Sequence, residues 1–278
     1  MKIGAFDSGI GGFSVLQPLL REIPDLSIVY VADTAHVPYS GKTPEELQIL
    51  IRKILRFFLD SKVEAVIFAC NTSSALVLPQ ILPYSFVPFF GVIEPGIQMA
   101  LTITKGKGIG IAANEVTAKS GTFKKMIHEK NPTIPVFEQS CPELVSLVEK
   151  GETSSPKASS IVKKYMEPLQ GKIDTLILGC THFPFLRKQF EESLPDCAVI
   201  DPAYPLAQHF MKYFNDHQGD LNSKDNPKRH DLFTTAQSPH VEEWAKKVLG
   251  WDLTAKLLDL TRINPWVPEE VSSYEITS

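Results

Sequence analysis

The chain of 278 residues has little cysteine and little surplus charge. Its four cysteines are Cys70, Cys141, Cys180 and Cys197, too few and too widely spaced for the disulfide framework of a small secreted domain. We therefore expect free thiols in a reducing compartment. The formal net charge is −4 and basic runs are short, so the sequence favours neither a nucleic-acid partner nor a lipid surface.

Long apolar runs are missing as well. No stretch approaches the roughly 18 residues that indicate a membrane span. The first residues, MKIGAFDSG, enter a strand and a turn without the apolar region or cleavage site of a signal peptide. We expect a cytoplasmic protein. With 43% hydrophobic residues, the chain can bury a substantial core in one or two domains.

Short apolar segments alternate with helical patterns along most of the chain. The predicted strands cover residues 2–6, 27–32, 65–69, 86–92, 108–112, 136–139, 175–178, 199–202 and 232–235. The predicted helices cover residues 13–22, 44–61, 72–82, 117–131, 142–151, 155–169, 185–192, 205–214 and 239–248, and a further helix follows a turn at 94–96. This alternation predicts βαβ units, mostly parallel sheets and the α/β fold class.

The pattern restarts near residue 97, and the second half weakly repeats the first. This predicts two similar α/β domains with an active site in the cleft between them. Because a chain can cross over and return, we expect residues 1–93 and 204–278 to form the first domain and residues 94–203 the second. Residues 216–230 are predicted to form a surface loop, and residues 251–278 carry too little pattern for a role.

Two similar segments each contain a cysteine after an apolar run. Residues 63–74 read VEAVIFACNTSS and residues 173–183 read IDTLILGCTHF. Such runs are typical of buried strands in a parallel sheet, and ligands bind at the carboxyl ends of these strands. The residues that follow the cysteines, Asn71, Thr72 and Thr181, are predicted N-caps of the next helices. We therefore expect two thiols to face one another across a cleft.

A pair of opposed thiols can invert a stereocentre. The cysteine pKa of about 8.5 falls at a helix N-terminus, so thiol and thiolate would both be available near neutral pH. A thiolate on one face of a carbon can remove a proton while a thiol on the other face supplies one. A single strand-end cysteine is more often a packed core residue, so this interpretation depends on the pair.

Common nucleotide and metal motifs fit poorly. The glycine turn at residues 7–12 could hold phosphate on backbone N–H groups, but its spacing does not match G-x-G-x-x-G. Residues 41–43, Gly-Lys-Thr, lack the first P-loop glycine because His36 occupies that position. Cys180 and His182 have no second Cys/His pair nearby, so we expect no metal site.

The chain resembles the bacterial glutamate racemases of the cofactor-independent aspartate/glutamate racemase superfamily. The matching segments are FDSGIGG (6–12), DTAHVPYSGK (33–42), ACNTSSA (69–75), GVIEPG (91–96), LVEKG (147–151) and LGCTHFPFL (178–186). The resemblance implies interconversion of L-glutamate and D-glutamate without metal, flavin or pyridoxal phosphate. It also implies that the product D-glutamate supplies peptidoglycan synthesis.

The resemblance further implies roles for individual residues. Cys70 and Cys180 would be the two acid/base residues, with Asp7 beside the first and Glu149 and His182 beside the second. The implied substrate contacts are Asp7, Ser8, Tyr39, Ser40, Asn71, Thr72, Asn114, Thr117, Thr181 and His182.

Four of these residues also have ordinary structural interpretations. Asp7 could cap a helix, His182 could be a satisfied core histidine, Glu149 could be solvated, and Tyr39 could pack on the surface.

The chain also departs from the family pattern. Ser40 replaces the glycine that usually follows Pro-Tyr, Asn114 stands where a threonine is usual, and residues 141–146 are altered. A racemase of aspartate or another amino acid therefore remains an alternative. So does a ligand-binding or partner-binding homologue with weak catalysis. Glutamate is the expected small-molecule partner, and a homodimer is one assembly that the sequence allows.

Overall fold

The computed structural model describes residues 1–217 and 229–267. Its strands are β1 (Lys2–Asp7), β2 (Ser27–Ala32), β3 (Ala65–Phe68), β4 (Phe89–Gly91), β5 (Ile109–Ala113), β6 (Val136–Ser140), β7 (Thr175–Gly179), β8 (Ala198–Ile200), β9 (His230–Thr234) and β10 (Lys256–Leu257). They form two sheets with the strand orders β10-β9-β2-β1-β3-β4 and β6-β5-β7-β8. All of these pairings are parallel. The predicted α/β class with parallel sheets is confirmed.

Helices connect the strands and cover the sheets. They are α1 (Phe13–Glu22), α2 (Pro44–Asp60), α3 (Asn71–Leu76), α4 (Leu78–Ile81), α5 (Ile93–Ile103), α6 (Glu115–Ser120), α7 (Thr122–Lys130), α8 (Glu143–Glu149), α9 (Pro156–Met166), α10 (Arg187–Ser193), α11 (Ala203–His217) and α12 (Pro239–Leu249). Short 3₁₀ turns lie between several of them. Among the described residues, no helix has both the length and the apolar character to cross a membrane.

Strand β1 shows how the first sheet is covered on both faces. Ile3 and Ala5 belong to a hydrophobic cluster that also includes residues of α1 and α11. Phe6, on the other face, belongs to a second cluster with Phe58 of α2, and Gly4 lies directly against the Phe58 ring. Alternate side chains of one strand thus serve two cores, as expected for a buried parallel strand.

Several predicted boundaries are wrong for local physical reasons. Helix α5 begins at Ile93 and includes the predicted turn at residues 94–96, because a proline in the first helical turn costs no hydrogen bond. The predicted helix over residues 117–131 is two helices, separated by Gly121 in the left-handed conformation at φ 66°. The predicted helix over residues 72–82 is likewise divided, into α3 and α4.

The chain passes between the two sheets twice. It leaves the first sheet after β4 through α5 and leaves the second sheet after β8 through α11. These segments pack together, since a Cβ built on Gly96 would lie 3.0 Å from Cβ of Pro202. Most of the predicted loop at 216–230, and residues 268–278 of the predicted C-terminal segment, lie outside the described residues.

Candidate functional site

Cys70 and Cys180 line the same cavity from different sheets. Cys70 follows β3 of the first sheet and Cys180 follows β7 of the second. The cavity is small, about 20 Å³, which is room for about one water molecule. It is lined by Ser8, Pro38, Tyr39, Ser40, Cys70, Asn71, Thr72, Asn114, Val145, Cys180, Thr181 and His182. The structure therefore brings both strand-end thiols to one pocket between the carboxyl edges of two sheets.

The residues after the cysteines do not cap helices as predicted. Cys70 itself occupies the N-cap position of α3, and its carbonyl accepts a hydrogen bond from the Ser73 hydroxyl at 2.9 Å. After Cys180, His182 occupies the N-cap position of a 3₁₀ turn. The cap prediction is wrong because the hydroxyls of Thr72 and Thr181 bond to distant segments instead.

The Cys70 thiol is more weakly acidic than the sequence predicts. Burial raises its pKa most, and the negative charge of Asp7 raises it further. Backbone N–H groups of Ser73 and Thr72 point at the sulfur and lower the pKa, but by less. The helix N-terminus therefore does not make Cys70 acidic in this conformation, because desolvation destabilises the thiolate more than the N–H groups stabilise it.

Asp7 lies behind the cavity wall and is hydrogen-bonded to the segment that follows Cys180. Its Oδ1 accepts a hydrogen bond from the backbone N–H of Gly9 at 3.0 Å, and its Oδ2 accepts one from the hydroxyl of Thr181 at 3.0 Å. Burial raises the pKa of Asp7, and the charge of His182 opposes this shift. Asp7 thus holds the second cysteine turn while its charge acts on Cys70.

His182 connects Cys180 to a carboxylate. Its Nδ1 lies 3.9 Å from Sγ of Cys180, and its Nε2 lies 2.7 Å from Oε1 of Glu149 at the end of α8. Burial opposes protonation of this ring. The hydrogen bonds to Cys180 and Glu149 outweigh burial, and together they raise the pKa of His182 to about 10. The arrangement places an imidazolium next to the Cys180 sulfur.

Thr72, Asn114 and Thr117 form a hydrogen-bond network between the halves. Asn114 Oδ1 accepts from the backbone N–H of Thr117 at 2.9 Å and so caps α6. Asn114 Nδ2 donates to the hydroxyl of Thr72 at 2.7 Å, which lies 3.0 Å from the hydroxyl of Thr117. Thr72 and Asn114 line the cavity, whereas Thr117 is fully buried behind them.

Neutral polar groups dominate the cavity wall. Oδ1 of Asn71 is buried without a hydrogen-bond partner among the described residues, so it can accept from a ligand ammonium group. Ser8 and Ser40 add hydroxyls to the lining. Tyr39 is buried and its hydroxyl donates to Asp33 at 2.9 Å. These groups suit a small zwitterion held by hydrogen bonds.

Asp33 was not predicted as a site residue. Its buried carboxylate contacts Nδ1 of His36 at 2.7 Å and accepts from the hydroxyls of Tyr39 at 2.9 Å and Thr235 at 2.6 Å. It lies in one of the segments that carry the resemblance, but its three partners cannot be read from sequence spacing. Asp33 therefore fixes the segment that brings Tyr39 to the cavity.

Two buried hydroxyls, also not predicted, hold the glycine turn. Ser14 donates to the carbonyl oxygens of Gly11 at 2.9 Å and Thr181 at 2.8 Å, and Tyr30 donates to the carbonyl of Gly9 at 2.8 Å. Neither residue belongs to a recognisable motif.

Across residues 1–217 and 229–267, no group of three or more His, Cys, Asp or Glu side chains is arranged to hold a metal ion.

Comparison with known proteins agrees with this geometry. The family model described as Asp/Glu/Hydantoin racemase matches residues 13–209. The glutamate racemase of Aquifex pyrophilus is 36% identical over 259 residues, which are 93% of this chain and 98% of that protein. The glutamate racemase of Desulforudis audaxviator is 43% identical over 203 residues, which are 72% of this chain and 74% of that protein.

Solved structures give the same result. The crystal structure of a glutamate racemase isoform from Bacillus anthracis superposes with a TM-score of 0.86 at 33% identity, covering 93% of this chain and 97% of that one. The Francisella tularensis glutamate racemase in complex with D-glutamate superposes with a TM-score of 0.85 at 29% identity, with coverage of 93% and 97%. This chain belongs to the aspartate/glutamate/hydantoin racemase family, and the glutamate racemases named above are among its relatives.

Proposed function

We propose that this protein interconverts L-glutamate and D-glutamate by moving the α-proton between Cys70 and Cys180. The observation that carries the proposal is the shared cavity, to which each sheet contributes one thiol. Relatives named glutamate racemase support glutamate as the substrate.

The two thiols have different neighbours. Cys70 is a thiol because burial and the charge of Asp7 raise its pKa. Cys180 lies beside His182, whose imidazolium form is favoured by the hydrogen bonds to Cys180 and Glu149. Cys180 then removes the α-proton from one face while Cys70 supplies a proton to the other, and the reverse reaction exchanges these roles.

The cavity must change size during turnover. A volume of about 20 Å³ holds about one water molecule and not an amino acid, so the cavity must widen before glutamate enters. Closure around the substrate then excludes water and directs neutral donors at the charge that develops when the α-proton leaves. The proposed substrate-binding groups are those predicted from the resemblance, of which Asp7 and Thr117 act from behind the cavity wall. Glu149 acts on Cys180 through His182.

We also propose a division into two domains, residues 1–93 with 204–278 and residues 94–203. Strands β1 to β4, β9 and β10 form one sheet and β5 to β8 the other, and helix α11 packs against α1. In this proposal the reaction needs neither metal nor organic cofactor, takes place in the cytoplasm and supplies D-glutamate for peptidoglycan.

Racemisation in D₂O tests the activity. With either enantiomer as substrate, deuterium should enter the product isomer early, because the donating thiol exchanges with solvent. Cys70→Ser and Cys180→Ser should each lose most of this activity, whereas Cys197→Ser should keep it, since Cys197 lies outside the cavity lining. Wild-type turnover in either of the first two variants would refute the two-thiol mechanism. A panel of amino acids, with aspartate included, would show whether glutamate is the preferred substrate.

A further inference from the structure

The side chains beside Cys180 form a line that leads away from the cavity. Sγ of Cys180 lies 3.9 Å from Nδ1 of His182, and Nε2 of that ring lies 2.7 Å from Oε1 of Glu149. The other carboxylate oxygen, Oε2 of Glu149, lies 3.9 Å from Nε2 of His240. His240 belongs to α12, on the opposite half of the molecule, and carries none of the roles described above.

Exposure rises along this line. Cys180 and His182 are 5% and 2% exposed, whereas the side chains of Glu149 and His240 are 27% and 37% exposed. Nε2 of His240 is buried and makes no hydrogen bond with the described residues. One ring nitrogen therefore faces Glu149 while part of the same ring reaches solvent.

A two-thiol racemase needs a route of this kind, and here the inference rests on the proposed function. Each turnover leaves the proton on the opposite sulfur, so the free enzyme returns to its starting form only by reverse turnover or by exchange with solvent. Beside Cys70, the polar residues Asp7, Asn71 and Thr72 are 0%, 3% and 0% exposed.

We propose that His240 is the outer member of a proton relay that exchanges the proton of Cys180 with water between turnovers. While Cys180 holds the proton as a thiol and Nδ1 of His182 is unprotonated, the S–H bond breaks as an N–H bond forms at Nδ1, and the Nε2 proton of the same ring passes to Oε1 of Glu149. The carboxyl group then rotates so that this proton faces Nε2 of His240, which accepts it and releases its Nδ1 proton to water. One proton has moved from thiol to solvent, and no electrons have been transferred.

The final gap closes by side-chain rotation. At 3.9 Å the contact between Glu149 and His240 is too long for a hydrogen bond, so the transfer requires a rotation of these two partly exposed side chains. His240 acts through Glu149 and touches no substrate, so it is a positioning residue for the proton and not a catalytic one.

Tracer perturbation tests the relay. A radiolabelled mixture of the two glutamate enantiomers is brought to equilibrium with enzyme, an excess of one unlabelled enantiomer is added, and the label is followed in each enantiomer. If the free enzyme returns slowly from its product-releasing form to its substrate-binding form, the labelled enantiomers depart temporarily from their equilibrium ratio. In His240→Gln, which keeps a polar side chain but cannot titrate, we expect this return to slow by roughly a hundredfold, the lower end of the range for a positioned acid/base group.

Steady-state kinetics give a second signature. If only the return step slows, kcat and KM fall together in His240→Gln, and added imidazole restores kcat by carrying the proton. His209→Gln is the matched control, because His209 is an exposed histidine on α11 whose ring packs on Phe90 at 5.8 Å. Neither its tracer curve nor its response to imidazole should differ from wild type.

The outcomes separate the relay from the proposed function. Wild-type enzyme that does not racemise glutamate would refute the function itself. Active wild-type enzyme with an unchanged tracer curve in His240→Gln would refute the relay alone. A fall in kcat/KM without label displacement or imidazole rescue would show a structural role and would also overturn it. If His240→Gln folds poorly by circular dichroism, His240→Asn serves as the second variant with the same expectations.

Discussion

The hydroxyl of Thr181 donates to Oδ2 of Asp7 at 3.0 Å across 174 positions of sequence. This bond ties the turn after β7 to the end of β1, and the Asp7 charge also acts on the Cys70 thiol. One buried carboxylate therefore influences both cysteines. Its contribution differs from that of a helix cap, because its partners lie on both sides of the cavity.

Replacement of Asp7 by asparagine should distinguish the electrostatic effect of its carboxylate from the effect of its hydrogen bonds. Asp7→Asn keeps an oxygen for the Thr181 hydroxyl but removes the negative charge that helps to raise the pKa of Cys70. We expect racemisation to fall by about 10²-fold or more, as for loss of a positioned acid/base group, while the pKa of Cys70 falls. Iodoacetamide labelling against pH, with peptide mapping, would measure that pKa. A higher Cys70 pKa in the variant would contradict the assigned electrostatic effect.

Gly11 allows the two cysteine-bearing halves to approach closely. A Cβ at this position would overlap the Thr181 hydroxyl and lie 2.7 Å from Nδ1 of His182. Gly11→Ala should therefore displace both residues and lower kcat by about 10²-fold, because small misplacements of catalytic groups are costly. Gly41→Ala is the control, since a Cβ there meets no atom within 4 Å. Equal activity of the two variants would show that the contact has no catalytic effect.

Asp201 should make the protein less stable as pH rises. Burial raises its pKa to about 6, against the hydrogen bond from the Ala203 N–H and the charge of Arg187. The folded state thus binds the proton more tightly than the unfolded state, and stability is lost as pH rises from about 4 to about 6. Asp201→Asn keeps the acceptor for Ala203 and should be more stable at pH 8 by roughly 1–3 kcal/mol.

Urea unfolding at several pH values would check this prediction. The advantage of Asp201→Asn should shrink as pH falls through about 6 and disappear below about 4, where the carboxyl group becomes protonated in both states. A constant difference between the two proteins, or a less stable variant at pH 8, would contradict it.

Periodicity predicted the strands well, because an apolar run ending at Cys70 or Cys180 needs no distant partner to identify it. The hydrogen-bond partners of the threonine hydroxyl groups were predicted poorly. Thr72 follows its cysteine as a helix cap would, yet its oxygen bonds to Asn114 and Thr117 in the other half. Local sequence carries the cap propensity, but the competing bonds exist only after the two sheets meet.

The outer parts of the site were not predictable for the same reason. His240 reaches Glu149 from a helix in the other half of the molecule, and no spacing rule relates residues so far apart. The division of the predicted helix over residues 117–131 has a different cause, because Gly121 lies within that segment and is visible in the sequence. Its left-handed conformation ends one helix and begins the next, which apolar periodicity alone does not reveal.

Asn114 should contribute separately to stability and to the closed cavity. Asn114→Ala removes the cap on the Thr117 N–H and the bond to Thr72, and loss of the cap alone should cost about 1 kcal/mol. Asn114→Thr keeps a capping oxygen but no longer donates an amide N–H to Thr72. We therefore expect its unfolding free energy to lie close to wild type while KM for glutamate rises, because the closed halves lose a hydrogen bond. Urea unfolding and steady-state kinetics on both variants decide the matter: a threonine variant as unstable as the alanine variant would show that the cap is not what Asn114 contributes.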